Sequence, residues 1–589
     1  MRRLRVVLLT TAVVLALGSP AAAQERIMPL AEVHKGMRCT GLSVVQGTEI
    51  SSFDVEVLDV IAGDQAAEAP RILIQVSGPA VDRTGLGPGF SGSPVVCRDS
   101  EGRDAYAGAI SEGVGEYGGR VGLATPMEAV VGQPVDPPAG AQPAPRTMRR
   151  ARPLASPLTI SGVSPRIART LSRAMARGGR TLLTTAGRPR AHFPVQPLRP
   201  GAAMSASLSS GAVNVGGVGT VSYVDGDRVW AFGHPFDGAG RRSLFLQDAY
   251  VYTVVNNPVG VEGVSTYKLA APGHDVGIVS GDGLQAIAGR LGVLPDRYGM
   301  RVIANDGDTG RVRDLRVEVA DENALGQPTG VSALALVGSA LTGQAATSVL
   351  GEIPARQSGE MCAYFHLHGE ERPLRFCNRY VMRDGGITAE GGLGNGGAMV
   401  SDFLEAVSLI DNYEFGVLDM RAVELNLTLR RGLRQAYMIK ASGPKVVRRG
   451  GVARVRVQIQ AVRGAVSSRT IEVKVPRRMP RGPRILTLAG PGTDEAGVFE
   501  IDLTEALFGD EEEDLFGPRT VDKLRQAVAR IGRYDGVEAS FEPPGGEDEE
   551  DLGEDAPDGG ERAAQRPRRV YRDPDLRLSG VVRLRVRVR

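Results

Sequence analysis

Apolar and polar side chains alternate with a period of two along much of this chain, the pattern of half-buried β-strands. FDVEVLDVI (Phe53 to Ile61), RILIQVSG (Arg71 to Gly78) and GSPVVC (Gly92 to Cys97) are rich in β-branched residues and bounded by Gly, Pro and Asp. They place a β-rich unit at 24–131. A Pro/Ala-rich linker follows at 132–156, with five Pro between Gly132 and Arg152. A second β-rich unit spans 157–350. It opens on a helix in which Ser164 is the N-cap, Pro165 the first helical residue and Gly178 the stop. Within it, Asp225-Gly226 is a hairpin signal between two alternating runs. Residues 351–416 carry a cysteine hairpin and a helix near Met399 to Ile410, with Phe403, Val407 and Ile410 on one face. In 417–589, VELNLTL, ARVRVQIQAV and TIEVKV alternate again and predict a β-sandwich-like domain. It also holds a helix from Thr520 to Ile531, a closing strand VVRLRVRVR, and an acidic insert at 543–566 with nine acidic residues between Glu547 and Glu561. The fold class is mainly β, with a few short helices.

The first 23 residues break this pattern. MRRLRVVLLTTAVVLALGSPAAA has three Arg, a short apolar run and a small-residue end, the form of a secretory signal peptide. Gly18, Ser19 and Pro20 interrupt the run before the length of about 20 residues that a membrane span needs. No other stretch reads as a span, so the expectation is an exported protein, periplasmic or extracellular, with no transmembrane segment after signal removal. The lack of repeated ten-residue lipid-facing strands with aromatic girdles argues against an outer-membrane barrel. Removal of Arg2, Arg3 and Arg5 leaves 67 basic against 68 acidic side chains. That balance, with 5% aromatics, argues against a nucleic-acid partner. Gly 77 and Pro 37 signal many turns, and Lys occurs at only six positions.

Export favours disulfides among the four cysteines, paired locally as Cys39 with Cys97 and Cys362 with Cys377. In CAYFHLHGEERPLRFC a two-residue Gly369-Glu370 turn brings Cys362 opposite Cys377. The competing reading is a metal site from Cys362, His366, His368 and Cys377, which lacks a second ligand pair at zinc spacing. Asn305-Asp-Gly-Asp-Thr-Gly310 reads as a β-turn, since the final Glu of an EF-hand is missing. No cofactor motif is present.

Candidate chemistry lies in Gly87-Pro-Gly-Phe-Ser91-Gly-Ser-Pro. Such a turn can expose the Ser91 hydroxyl and aim the Gly89 and Ser91 amides at one point, as an oxyanion hole requires. It can equally be a plain β-turn. Of the six His (34, 192, 234, 274, 366 and 368), His234 in Ala-Phe-Gly-His-Pro-Phe ends a strand, where a ring can be held rigidly beside a cleft. His34, His192 and His274 lie in loop-like contexts.

The succession FDVEVLDVI, ILIQVSGP, TGLGPGFSGSPVV and YAGAISEGV resembles the serine-peptidase domain of the SpoIVB (stage IV sporulation protein B) family. GVGTVSYVDGDRVWAFGHPF is similar to that family's G-x-GT strand and Gly-His loop. The resemblance spans Pro29 to about Gly281. It implies a trypsin-like double β-barrel, Ser91 as nucleophile, His234 as general base and cleavage of protein or peptide substrates through an acyl-enzyme. The Ser segment here precedes the Gly-His segment, the reverse of the sporulation enzyme. Where that family has its catalytic Asp in a D-P step, this chain has Gly78-Pro79; Asp82 is the nearest substitute, while Asp225 and Asp227 read as turn residues. The family's PDZ module has no counterpart. The alternative expectation is therefore a degenerate, non-catalytic envelope protein on the same scaffold that binds peptides or a partner protein.

Overall fold

The computed structural model describes residues 25–63, 70–114, 119–133, 135, 142–143, 152–153, 158–178, 180–184, 193–257, 266–325, 332–352, 354–383, 398–490, 517–531, 536–544 and 568–589. The expected signal peptide, His192 and the Glu547–Glu561 acidic run lie outside them. The protein is mainly β.

Six strands near the N-terminus close on themselves: β1 (Arg38–Val44), β2 (Ile50–Ala62), β3 (Arg71–Ser77), β4 (Pro94–Arg98), β5 (Asp104–Gly113) and β6 (Val121–Pro126). The antiparallel ladder runs β1-β4-β5-β6-β3-β2 and returns from β2 to β1, a closed barrel without free edges. Alternation does what the sequence predicts: Phe53, Val55 and Val57 fill the interior while Asp54 and Glu56 face out. The linker contributes too, since Gln142–Pro143 pairs beside β2 and Arg152–Pro153 beside β5.

A second ladder contains Ala203–Ser207, Asn214–Asp225, Arg228–Ala231, Gly240–Val255, Tyr267–Asp282 and Ile287–Leu291. Its pairings also return to their start, because Asn214–Asp225 bonds both Ala203–Ser207 and Arg228–Ala231. Asp225 opposes Arg228, so the hairpin expected at Asp225-Gly226 forms, with Gly226 at φ +60°. The helix Pro165–Arg177 starts where expected, the Ser164 side chain accepting from the Ile167 amide.

A six-stranded sheet comes next: Ser209–Gly211, Val312–Ala320, Arg297–Asp306, Met420–Arg431, Arg356–Leu367 and Leu374–Arg383. The strand Met420–Arg431, whose alternation suggested the sandwich, sits in the middle of this sheet instead, bonded to Arg297–Asp306 and Arg356–Leu367. Alternation specifies a strand's faces but not its neighbours. Against the sheet lies the helix Ala333–Leu350, capped by Ser332 and stopped by Gly351 in the left-handed region. The sequence reading missed this helix. By length and composition alone it is apolar enough to cross a membrane, but 78% of it is buried inside the protein, as in a core helix.

From Gln435, a four-stranded and a five-stranded sheet share one core that includes Val455, Val457, Ile471, Leu486, Leu488 and Val586. Val581–Val588, the expected closing strand, bonds along Gly482–Ala489. The turn at Asn305–Gly310 is held by Asp306, whose carboxylate accepts the Asp308 and Thr309 amides and pairs with Arg431.

Both expected disulfides form, each between directly opposed residues of antiparallel strands: Cys39–Cys97 across β1 and β4, and Cys362–Cys377 in the hairpin. The Cys362 bond consumes both thiolates of the competing metal reading. Its register is the expected one, although the ladder ends at Phe365 and Leu374, so the connection is wider than two residues. Pro373 cannot donate to a ladder. The loops closed span 58 and 15 residues. On chain entropy, replacing Cys39 and Cys97 by Ala removes about 4 kcal/mol of stability and replacing Cys362 and Cys377 about 3 kcal/mol. Denaturant unfolding of the two double variants checks the order; a larger loss for the short loop contradicts it.

Candidate active site at the seam of the two ladders

The Ser91 turn leads into β4 and faces the second ladder. Its glycines are there because strands of that ladder touch the turn's backbone. A Cβ on Gly87 would lie 1.7 Å from the Thr266 carbonyl oxygen, and one on Gly92 2.0 Å from that of Thr220 and 2.6 Å from the Phe232 nitrogen. Gly89 and Gly92 also take φ of +93° and +90°, open to glycine at little cost.

Every carbonyl from Pro88 to Ser91 is held. The Lys268 amide donates to Pro88 O (2.9 Å), the Thr220 hydroxyl to Gly89 O (2.9 Å), the Ser93 amide to Phe90 O (2.9 Å) and the Thr220 amide to Ser91 O (2.9 Å). Fixing these carbonyls fixes the peptide planes that carry the Gly89 and Ser91 N–H groups. Among the described residues neither of those two amides donates a hydrogen bond. The Ser91 hydroxyl is buried and has no partner either. Three unused polar groups thus cluster on a rigid turn, where most buried polar groups are satisfied.

His234 comes to the same seam. The strand Arg228–Ala231 ends, and Phe232 and Gly233 both adopt left-handed φ, +73° and +67°. Such a conformation at a phenylalanine is strained and needs outside support. Support comes from both ladders: the Phe232 amide donates to Thr220 O (3.4 Å), and the Thr125 hydroxyl of β6 donates to Gly233 O (2.6 Å). Beyond the histidine, the Asp282 carboxylate accepts the Phe236, Asp237 and Ala239 amides at 2.7, 2.7 and 3.2 Å. Buried His234 has Nδ1 2.7 Å from the Pro235 carbonyl. A carbonyl only accepts, so Nδ1 carries the hydrogen and Nε2 is the basic nitrogen of the neutral ring.

The two expected motifs therefore meet, backbone to backbone, at Gly92 and Phe232. Ser91 Oγ and the imidazole are not hydrogen-bonded to each other. Asp82 is elsewhere: it sits in the turn after β3, about half exposed, and pairs with Arg120 at 3.3 Å. The side chain was close in sequence, but the turn from Gly78 to Gly85 folds back on itself and leaves it on the outside. Asp227 pairs with Arg290 at the hairpin tip. His274, expected in a loop, lies in the strand Tyr267–Asp282 and bonds Asp248 at 2.9 Å.

Sequence reasoning missed the group beneath the turn. Lys268 is buried, with Nζ 2.7 Å from Ser43 Oγ, 3.2 Å from Thr220 Oγ1 and 4.5 Å from the centroid of the Phe90 ring. Ser43 Oγ continues to Ser93 Oγ at 2.8 Å. Burial pulls the Lys268 pKa down to about 7, and no carboxylate among the described residues counters it. The signals available in sequence were faint: one of six lysines in an arginine-rich chain, and hydroxyls on apolar strands.

Set against family models, curated proteins and solved structures, the chain matches none.

The lysine makes a stability prediction. The unfolded side chain holds its proton up to about 10.5 and the folded one only to about 7, so between these values unfolding takes up a proton and stability rises with pH. Lys268→Met removes the buried charge, so its gain over the native protein is largest below pH 7. The gain shrinks by an amount on the order of a few kcal/mol as pH approaches 10. Denaturant midpoints of both proteins across that range test this; a pH-independent difference contradicts it.

Proposed function

We propose that the protein is an exported serine-type peptidase with Ser91 as nucleophile, His234 as general base and the Gly89 and Ser91 amides as oxyanion hole. The reading rests above all on those two undonated amides. Unused donors held by fixed peptide planes are what acyl transfer needs where negative charge develops. In the proposed reaction Ser91 Oγ attacks the scissile carbonyl carbon while its proton passes to His234 Nε2. The C–N bond then breaks, the amine leaves with that proton, and water repeats the sequence on the acyl-enzyme. A trypsin-like arrangement, two barrels with the site between them, is supported by two ladders that close on themselves and meet at this turn. Export is supported by the form of residues 1–23 and by two disulfides, which persist in oxidising compartments.

The Pro235 carbonyl stands where a triad has its acid. It orients the ring and fixes the tautomer, but it carries no full charge to stabilise the imidazolium. A second reading, a non-catalytic peptide-binding scaffold, is favoured by one observation: Ser91 has no exposed surface. On the catalytic reading, substrate enters only when the seam opens.

A fluorophosphonate probe separates the two. Labelling of the native protein that disappears in Ser91→Ala, and falls at least about 10³-fold in rate in His234→Ala, supports the enzyme. An unlabelled native protein overturns it in favour of the scaffold. Independently, Ser91→Ala deletes a buried unsatisfied hydroxyl, so it leaves stability unchanged or raises it by about 1 kcal/mol. A clear loss of stability in that variant would show that the hydroxyl is structurally bonded.

A further inference from the structure

The hydroxyl cluster behind the Ser91 turn has no role in the reaction as written, yet it holds the one lysine whose position is hardest to justify by packing. Its stem lies against Gly89: a Cβ built there would be 2.8 Å from Lys268 Cβ and 3.1 Å from Cγ and Cδ. Its backbone amide bonds Pro88 O, the carbonyl of the same peptide that carries the Gly89 N–H. Three groups among the described residues face Nζ. They are Ser43 from β1, Thr220 from Asn214–Asp225 and Phe90 from the turn, and none is acidic or basic. A methionine would fill the same space without taking an ammonium out of water, which costs heavily when no counter-charge is present. Among the described residues no counter-charge faces Nζ at rest. During acyl transfer a full negative charge forms at the Gly89 and Ser91 amides, on the turn that Lys268 supports.

We propose that Lys268 is a positioning residue of the oxyanion hole, its protonated side chain placing positive charge behind the Gly89–Ser91 turn as the tetrahedral oxyanion forms. The inference rests on the serine-peptidase reading above. Two consequences follow. Activity falls at alkaline pH when Lys268 gives up its proton. By reciprocity, an anion trapped in the hole holds the proton on Lys268.

The test is the pH dependence of the second-order rate of Ser91 labelling by a fluorophosphonate. In the native protein the rate falls as pH rises above about 7. In Lys268→Met the rate at pH 6.5 is about tenfold lower, and the alkaline fall is absent. An unchanged alkaline limb in this variant overturns the proposal while leaving the enzyme reading intact; an unlabelled native protein overturns the enzyme reading itself. Should Lys268→Met not fold, calorimetry on the native protein replaces it. Binding of a simple aryl boronic acid, which forms a tetrahedral anion on serine, is measured at pH 8 in buffers of different ionisation enthalpy. Uptake of a substantial fraction of a proton supports the proposal, and binding without proton uptake overturns it.

Discussion

Thr220 is the joint on which the site depends. Its amide holds Ser91 O, its hydroxyl holds Gly89 O, its carbonyl receives the Phe232 amide, and its Oγ1 accepts from Lys268. One residue of the second ladder therefore fixes the serine turn from one side and the strained entry to His234 from the other. The hydroxyl is what makes this joint possible. A valine has the same shape but would leave Gly89 O and Lys268 Nζ without that partner, in a place too buried for water to replace it. Closed ladders matter for the same reason. A barrel has no frayed edge, so the residues it presents at a seam keep their spacing, and a turn gripped by four carbonyl bonds inherits that rigidity.

Glycine reads differently once the seam is visible. In sequence, Gly87, Gly89 and Gly92 marked a flexible turn that could serve chemistry. In the structure they are contact points: Gly87 and Gly92 give up their side chains to backbone on the second ladder's side and Gly89 to the Lys268 stem, and two of them take left-handed φ as well. What looked like freedom is the condition for being tightly held. Phe232 makes the same point from the opposite side, since it accepts a left-handed backbone with a large side chain and buries its ring against Gly219.

How much of this could be read from sequence follows from the range over which each signal acts. Local signals carried well. The Ser164 cap, the Asp225-Gly226 hairpin and the Cys362–Cys377 register depend on residues within a turn or a hairpin of one another. The alternation of Phe53 to Val57 fixed an inside and an outside without any knowledge of neighbours. Signals set by neighbours did not carry. Met420–Arg431 alternates like the sandwich strands after it, but pairs with strands more than a hundred residues earlier in one case. Ala333–Leu350 is buried all round and so has no stripe for periodicity to find. The seam was half legible. The motifs holding Ser91, His234 and the Gly89 amide could be picked out, whereas Ser43 and Lys268 are ordinary strand residues until the two ladders are brought together. Asp82 failed for the complementary reason, because closeness in sequence says nothing about which side of a turn a carboxylate occupies.

The electrostatics of the site differ from those of a serine triad in a way that ties its two unusual features together. A triad at rest carries the negative charge of its acid, which favours the imidazolium but opposes a second negative charge at the oxyanion. Here the orienting group on Nδ1 is a neutral carbonyl, so in the proposed reaction that group gives the imidazolium no full charge and sets none against the oxyanion. The burden of stabilisation moves toward the oxyanion side, which is where the buried lysine stands. Coulomb energy in a region closed to water is several-fold larger than at the surface, so one positive charge behind the hole would act strongly on an oxyanion formed there. A site built this way has its pH limits set differently. On the proposed reading the alkaline end belongs to Lys268, whose proton burial holds only weakly until the oxyanion arrives. On that reading, a neutral carbonyl on Nδ1 and a cation with no acidic partner among the described residues are two sides of one charge arrangement.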